Sequence, residues 1–178
     1  MYIADNVGTH IPVLDLAIRL SHVRHILEFG SGVYSTNKLL EFPDLEMLTS
    51  YEDVKDWYNK IAKVKNSKLR LIFERDLLDI ARSIDLDEFD LIFIDCCDFA
   101  EKRATIIKAI SERKPRAVVV IHDFDFELEN APESISGFDN KVIYNQLFPA
   151  TGVLWNQIEG SAKIRGVRFE GVQGIIDV

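Results

Sequence analysis

Cysteine is scarce in this chain, and long hydrophobic runs are absent. Its 178 residues include only two cysteines, Cys96 and Cys97. Because the two are adjacent, a disulfide between them is disfavoured, and their spacing matches no zinc-binding motif. The longest purely apolar stretches, such as 117–121, have about five residues, whereas a helix needs roughly 20 to cross a bilayer. With no charged-then-apolar leader at the N-terminus, we expect a reduced, cytoplasmic protein without a membrane partner.

Positive charge is also in short supply. The chain carries 21 lysines and arginines against 29 acidic residues, for a formal net charge of −8. Proteins that bind nucleic acids present a basic surface to the phosphates, so nucleic acid is not an expected partner. A basic run at 60–70 falls on a predicted helix and the turn after it, which favours a solvated helix face. A second basic run lies at 163–168.

The remaining composition is typical of one soluble, globular domain. Hydrophobic residues make up 47% and charged residues 28%, and a chain of this length buries enough surface for a core. No repeat, low-complexity segment or linker divides it. Short apolar runs alternate with segments of helical spacing, which predicts right-handed βαβ units and a parallel sheet. The predicted strands are 25–29, 46–51, 69–73, 89–94 and 117–121, and the predicted helices are 11–20, 36–41, 53–64, 77–83 and 99–111.

The pattern changes after residue 125. Residues 127–137 are polar and rich in turn formers, which predicts a loop. Two further predicted strands, 141–148 and 152–158, are joined by a short link that contains proline, so we expect an antiparallel hairpin at the edge of the sheet. The last twenty residues predict only an irregular strand or a tail.

A glycine turn follows the first predicted strand. Segment 28–32 has the sequence Glu-Phe-Gly-Ser-Gly and leads from the strand into a helix. Glycines permit a tight turn and let a ligand lie close to the backbone, and the helix N-terminus offers free N–H groups. A dinucleotide site is disfavoured, because the sixth position of G-x-G-x-x-G would be Ser35 and the Glu28 carboxylate would repel a pyrophosphate. An acid here suits a cationic or amine-bearing ligand.

Segment 28–32 resembles the first motif, E/D-x-G-x-G, of the class I S-adenosylmethionine-dependent methyltransferases. The Ser35-Thr36 pair that follows is common in members of that family that act on small molecules. Three strands and a closing hairpin further along the chain agree with the family in order and spacing, so that the resemblance covers about residues 9–158.

The three further matches each end in an acidic residue. Glu52 closes the second strand, where the family has an acid that binds both ribose hydroxyls. Asp76 follows the third strand, where a family acid commonly accepts the adenine amino group. Segment 89–95 resembles the fourth motif, whose final residue, here Asp95, lies near cofactor and substrate.

The resemblance implies a Rossmann-like, doubly wound α/β fold: a mostly parallel seven-stranded sheet with an antiparallel C-terminal hairpin and helices on both faces. A single methyltransferase-like domain, 1–178, would comprise an N-terminal segment and helix (1–24), a cofactor-binding core (25–125) and closing strands with a tail (126–178). The resemblance also implies S-adenosylmethionine as cofactor and methyl transfer to an oxygen or nitrogen atom, with a small molecule as the expected acceptor. The implied cofactor-binding residues are Glu28, Gly30, Ser31, Gly32, Ser35, Thr36, Glu52, Asp76 and Asp95.

Polar side chains at strand ends are candidates for the transfer itself: Asp95 after the fourth strand, and His122 and Asp123 after the fifth. The cofactor supplies the reactivity, so the protein has to align the acceptor and sometimes remove a proton. A histidine with an unperturbed pKa of about 6.5 can accept that proton near neutrality, although a hydrogen-bonded histidine at a strand end explains His122 equally well. Asp76 and Glu52 likewise fit caps of the helices that follow them.

Asp95 and Asp123 also resemble two Mg²⁺-ligand positions of the catechol O-methyltransferase branch, and carboxylates at adjoining strand ends suit such a hard cation. The match is incomplete, because that branch has asparagine where this chain has Phe124 and a lysine base where it has Asp98. We therefore expect no metal. The cysteines are interpreted as buried packing, since neither has an evident activating partner.

Two rival functions remain open. One is a non-catalytic, methyltransferase-like module that serves in binding or assembly, which is consistent with the small size of the expected lid. That lid would consist of residues 1–10, with His10 near the cofactor, and of an insert at 127–140. The other, a nicotinamide-dependent oxidoreductase, is weakened by Glu28 and Ser35. The sequence does not identify the acceptor, and it leaves a homo-oligomer open.

Overall fold

A mixed β-sheet runs through the centre of the computed structural model, which describes residues 8–97, 99–157 and 175–176. The strands are β1 (His25–Phe29), β2 (Met47–Glu52), β3 (Leu69–Phe73), β4 (Leu91–Ile94), β5 (Val118–His122), β6 (Asn140–Tyr144), β7 (Thr151–Trp155) and β8 (Ile175–Ile176). In space they follow the order β3-β2-β1-β4-β5-β7-β6-β8. The first five are parallel, whereas β7 is antiparallel to β5 and β6, and β8 is antiparallel to β6. The predicted seven-stranded, doubly wound sheet with its antiparallel hairpin is confirmed, and β8 adds two residues at one edge.

Six α-helices cover the sheet in the described part of the chain. They are α1 (Ile11–Ser21), α2 (Ser35–Leu40), α3 (Lys55–Ile61), α4 (Leu77–Ser83), α5 (Ala100–Glu112) and α6 (Asp125–Glu129). None of the described helices is long and apolar enough to cross a membrane. Short 3-10 helices also form at Leu86–Glu88 and Pro132–Ile135.

The predicted loop at 127–137 is wrong, because α6 and the 3-10 helix Pro132–Ile135 occupy most of it. The segment is polar on average, but Ile135 is buried in the core and Leu128 packs against it. Apolar contacts such as these hold the short helices against the core, although the sequence pattern of such short elements carries little helical periodicity.

Side chains that alternate along the central strands face two separate hydrophobic layers. Leu27 of β1 belongs to the same buried cluster as Ile106 of α5. Its neighbour Ile26 belongs to the opposite cluster, together with Leu14 of α1. Because both faces of the sheet are covered, the central strands are apolar at consecutive positions, and this is why they could be predicted from the sequence.

Element boundaries differ from the predicted ones by a few residues. β4 begins at Leu91 rather than at 89, because the preceding 3-10 helix ends with Phe89 at its cap. The basic run at 60–70 extends from the end of α3 through the following turn to the first residues of β3, with Lys60 and Lys63 exposed as predicted. The second basic run, 163–168, and the last residue of the predicted strand 152–158 lie outside the described residues.

The strand order brings the predicted site residues to one edge of the sheet. β1 pairs with β2 on one side and with β4 on the other, so the connections from β1 and β4 leave on opposite sides. In open α/β sheets, ligands bind in the crevice that forms at the carboxyl ends of the strands at such a point. The turn after β1, Glu52 at the end of β2 and Asp95 after β4 all meet there.

Candidate functional site

A cleft opens above the carboxyl ends of β1, β2 and β4. It encloses about 660 Å³, including solvent at its mouth. The residues that line it are His10, Gly30, Ser31, Gly32, Val33, Tyr34, Ser35, Glu52, Val54, Trp57, Asp95, Cys96 and Cys97. The predicted site residues that do not line it are Glu28, Thr36, Asp76, His122 and Asp123. The predicted residues of the glycine turn, together with Glu52 and Asp95, therefore line the cleft, whereas the other predicted residues make contacts elsewhere.

Gly30 is the residue that lets β1 and β4 approach each other. Its φ of +91° lies in the region that favours glycine, and a Cβ atom at this position would lie 2.2 Å from the carbonyl oxygen of Asp95. Gly32 is less restricted, because a Cβ there would meet only the Ser35 hydroxyl, at 3.3 Å. Gly30 thus fixes the shape of the turn, whereas Gly32 leaves room on the cleft side.

Glu28 lies under the glycine turn rather than in the cleft. Its carboxylate has no solvent exposure and accepts hydrogen bonds from the hydroxyls of Ser50 at 2.6 Å, Ser35 at 2.7 Å and Thr36 at 2.9 Å. Burial raises the pKa of Glu28 to about 7, although the three hydroxyls favour the charged form. In this arrangement Glu28 positions the turn and the first residues of α2, and its predicted contact with a ligand stays a prediction.

Glu52 lines the cleft and also stabilises the turn. One of its carboxylate oxygens accepts from the Ser31 backbone N–H at 2.6 Å and from the Ser31 hydroxyl at 3.0 Å, and the other accepts from the Val54 N–H at 2.7 Å. Burial raises its pKa. A carboxylate has about four acceptor sites, so the oxygen that contacts Val54 can accept a further hydrogen bond from a ligand in the cleft.

Asp76 is the N-cap of α4. Its carboxylate accepts the backbone N–H of Asp79 at 3.0 Å, and its side chain is exposed. Of the two interpretations that the sequence left open, the structure shows the cap.

On the side of the cleft near β2, the described lining residues include Val54 and Trp57, the latter on α3. Sequence analysis missed both, and the only signal for them was their position directly after an acidic strand end.

Asp95 and His122 form a hydrogen-bonded pair at the ends of β4 and β5. His122 Nδ1 lies 3.0 Å from Asp95 Oδ1, and His122 Nε2 lies 2.9 Å from the Thr9 hydroxyl. Burial disfavours the charged imidazolium, but the hydrogen bond to Asp95 and its charge outweigh this, so the pKa of His122 is raised. Burial also disfavours the ionised form of Asp95, but the hydrogen bond to His122 and the charge of His122 outweigh this effect, so the pKa of Asp95 is lowered. Asp95 faces the cleft, and His122 lies behind it.

Asp123 contacts Arg103 instead of the cleft. The Arg103 guanidinium lies 3.1 Å from the Asp123 carboxylate, donates to the Asp123 carbonyl at 3.0 Å, and lies 3.3 Å from Glu127. Arg103 was missed by sequence analysis, although it shares helical spacing with the buried Ile106, Ile107 and Ile110 of α5. A buried arginine in an apolar stripe signals a buried acidic partner.

A Mg²⁺ site of the catechol O-methyltransferase type does not fit these residues. One of its two carboxylates, that of Asp123, is paired with Arg103, and the other, that of Asp95, contacts an imidazole. Mg²⁺ prefers oxygen ligands in an octahedral arrangement. Asp98, which stands where that branch has its lysine base, lies outside the described residues.

The two cysteines have different surroundings. Cys96 is buried in the core, as predicted, and also lines the cleft. Cys97 lines the cleft with its Sγ 3.8 Å from Asp53 Oδ2, and Lys102 Nζ lies 2.9 Å from the same carboxylate oxygen. Cys97 therefore has a polar contact that the sequence did not indicate.

No protein-family model and no curated protein sequence matches this chain. Solved structures do match it. A spermidine synthase from Thermotoga maritima aligns with a TM-score of 0.68 and 14% identity over 90% of this chain, which spans 62% of that protein. A Staphylococcus aureus protein assigned as a caffeoyl-CoA O-methyltransferase aligns with a TM-score of 0.60 and 15% identity over 88% of this chain and 86% of its own. The N-methyltransferase NodS from Bradyrhizobium japonicum aligns with a TM-score of 0.56 and 15% identity, over 84% and 94%.

These likenesses show that the chain shares a Rossmann-like fold with the solved structures, which confirms the fold predicted from the sequence motifs. At 12–15% identity they show the fold alone. The chain spans about three-fifths of the length of the two spermidine synthases that it matches.

Proposed function

We propose that this chain binds S-adenosylmethionine in the cleft and transfers the methyl group to an oxygen or nitrogen atom of a small molecule. The observation that carries the proposal is the position of Glu52. This acid ends β2, lines the cleft and contacts the glycine turn through Ser31. A carboxylate with spare acceptor capacity at this place suits the vicinal hydroxyls of a ribose.

The charge of the cleft supports a cationic ligand. Glu52 and Asp95 line it, and no lysine or arginine does so among the residues that the structure describes. A pyrophosphate would meet two carboxylates and no positive side chain, which disfavours NAD. When bound, S-adenosylmethionine supplies a methyl group activated by a positively charged sulfur.

Asp95 is the residue that we expect to face the acceptor. It can accept a hydrogen bond from the acceptor's O–H or N–H and so orient the attacking lone pair toward the methyl carbon. As the new bond to the methyl carbon forms and the bond from that carbon to sulfur breaks, the acceptor's proton would pass by way of Asp95 to His122 Nδ1, 3.0 Å away, in the neutral His122 tautomer that has its lone pair on Nδ1. The raised pKa of His122 favours this direction of transfer. His122 then acts behind Asp95 and positions it, instead of contacting the acceptor.

Calorimetric titration of the purified chain with S-adenosylmethionine, S-adenosylhomocysteine and NAD tests the proposal. We expect binding of the first two and not of NAD. Glu52→Gln should weaken binding about 5- to 150-fold, because the loss of a charged hydrogen bond costs about 1–3 kcal/mol. Glu129→Gln, which changes an exposed acid on α6, is the matched control and should leave the affinity unchanged.

Each contrary result has a distinct meaning. Unchanged affinity of Glu52→Gln would remove Glu52 from the site. If neither the methyl donor nor its product binds, the non-catalytic binding or assembly module becomes the better interpretation of this fold. Binding of NAD alone would contradict the electrostatic argument.

A further inference from the structure

We propose that His10, Asp95 and His122 bind one divalent transition-metal ion with the ligand preferences of Zn²⁺. A ring nitrogen of His10, a carboxylate oxygen of Asp95 and a ring nitrogen of His122 all lie within 4.8 Å of one another. The three residues come from the start of α1 and from the ends of β4 and β5. This inference goes beyond the proposed function and is contrary to our expectation from the sequence that the site holds no metal.

His10 is the first argument for a missing ligand. Its side chain is 1% exposed, and neither ring nitrogen has a hydrogen-bond partner among the residues that the structure describes. Leaving a buried polar group without a hydrogen-bond partner is unfavourable. The ring packs at 4.4 Å, edge to face, against His122. A neutral imidazole in this position offers a lone pair to a metal ion.

The hydrogen bonds of His122 are the second argument. The Thr9 hydroxyl donates its single proton to the Pro149 carbonyl at 3.2 Å, since a carbonyl can only accept. In the His122 tautomer that is compatible with this bond, Thr9 Oγ1 accepts from Nε2–H, 2.9 Å away. This leaves a lone pair on Nδ1, which faces Asp95 Oδ1 at 3.0 Å. A nitrogen lone pair and a carboxylate oxygen at that distance can hold one cation between them, either a proton taken up from the site or a metal ion.

The outer hydrogen bond of His122 has the form found in metal sites. A histidine ligand usually donates its second ring N–H to a neighbouring oxygen, and this bond fixes the ring orientation. Thr9 is that oxygen here. Ligands of a tetrahedral ion with bonds of about 2.0–2.1 Å lie about 3.4 Å apart. The Asp95–His122 contact, at 3.0 Å, is shorter than this, whereas the three candidate ligand atoms lie within 4.8 Å of one another, so binding would widen the first separation and bring His10 closer.

The ligand set determines the class of ion. Two imidazole nitrogens and one carboxylate suit Zn²⁺ or Fe²⁺, whereas Mg²⁺ and Ca²⁺ prefer oxygen ligands. Three protein ligands leave a fourth position, and both Asp95 and His10 line the cleft. An open position there is typical of catalytic zinc sites rather than structural ones. The ion would take the place of the proton between Asp95 and His122, so the two forms exclude each other.

The test uses the full chain without a histidine tag, stripped with a chelator and titrated by calorimetry with ZnCl₂ and, separately, MgCl₂. Co²⁺ titration followed by visible absorption gives a second readout that reports coordination geometry. We expect one Zn²⁺ per chain, no Mg²⁺ binding, and Co²⁺ bands typical of a tetrahedral site. His10→Ala and Asp95→Asn should each weaken Zn²⁺ binding by at least about tenfold.

The chain provides its own matched control. It has four histidines, and the two outside the cluster, His22 and His25, can be replaced together as His22→Asn and His25→Gln. This double variant should bind Zn²⁺ like the unchanged chain. The proposal is overturned if neither ion binds, if His10→Ala binds as tightly as the unchanged chain, or if Mg²⁺ competes equally. Because the His10 side chain makes no described hydrogen bond, its replacement should not prevent folding even if Asp95→Asn does.

The outcomes for the two proposals are separate. S-adenosylmethionine binding without Zn²⁺ binding would leave the proposed function and remove the metal site. Zn²⁺ binding without S-adenosylmethionine binding would leave the metal site and remove the methyltransferase proposal.

Discussion

Replacing Glu28 by glutamine should remove a pH dependence of stability from this protein. The Glu28 carboxylate is fully buried between β1 and β2 and accepts hydrogen bonds only from hydroxyl groups among its described partners, namely those of Ser35, Thr36 and Ser50. No described cation pairs with it. Burial consequently raises its pKa from 4.5 to about 7.

The sign of the effect follows from proton binding in the two states. In the unfolded chain Glu28 loses its proton near pH 4.5, but in the folded chain it keeps the proton until about pH 7. Between these values the folded state binds more protons, so the free energy of unfolding falls as the pH rises. Since one pH unit corresponds to about 1.4 kcal/mol, the full loss above pH 7 amounts to about 3 kcal/mol.

Urea unfolding at a series of pH values between 5 and 8 measures this effect. Over that range the unchanged chain should lose about 2–3 kcal/mol more than Glu28→Gln, because glutamine stays neutral while its amide can still exchange hydrogen bonds with the hydroxyls. Other buried groups with shifted pKa values, such as Glu52 and Glu127, titrate in both proteins, so the difference isolates Glu28. Glu129→Gln should follow the unchanged chain. Parallel curves for the unchanged chain and Glu28→Gln would refute the reasoning.

Two further substitutions test the turn and the helix cap. Gly30→Ala should lower the free energy of unfolding by about 2 kcal/mol or more, because of its positive φ and the 2.2 Å approach to Asp95. Gly32→Ala is the matched variant in the same urea assay and should lose less; equal losses would contradict the assignment of Gly30. Asp76→Ala should cost about 1 kcal/mol of stability through the lost cap on Asp79. It should leave S-adenosylmethionine affinity unchanged in calorimetry, and weaker binding would mean that Asp76 reaches the ligand.

The order of the elements could be predicted from the sequence because the central strands are covered on both faces. A strand such as β4 is then apolar at every position, and its signal is local. Short elements on the rim of the sheet gave no such signal. The helix α6 depends on a few apolar contacts with the core, and a five-residue segment is too short to show a helical period.

The positions of Glu52 and Asp95 could also be predicted, since a parallel sheet brings the carboxyl ends of neighbouring strands to one edge. The direction of Glu28 could not. Glu28 is opposite Ser50 in the register of β1 and β2, and only this pairing, together with the first turn of α2, surrounds the carboxylate with hydroxyl groups. The same residue that completes the sequence motif therefore points away from the cleft.

The sequence by itself determined which segments form strands and helices, where the glycine turn lies and which acids end the strands, because these properties depend on neighbours a few positions apart. Only the tertiary structure decided what each ionisable group contacts. Thr9 reaches His122 across 113 positions of the chain, and Arg103 takes Asp123 away from the cleft. Protonation, metal affinity and ligand contact depend on burial and on such distant partners, and these exist only once the chain has folded.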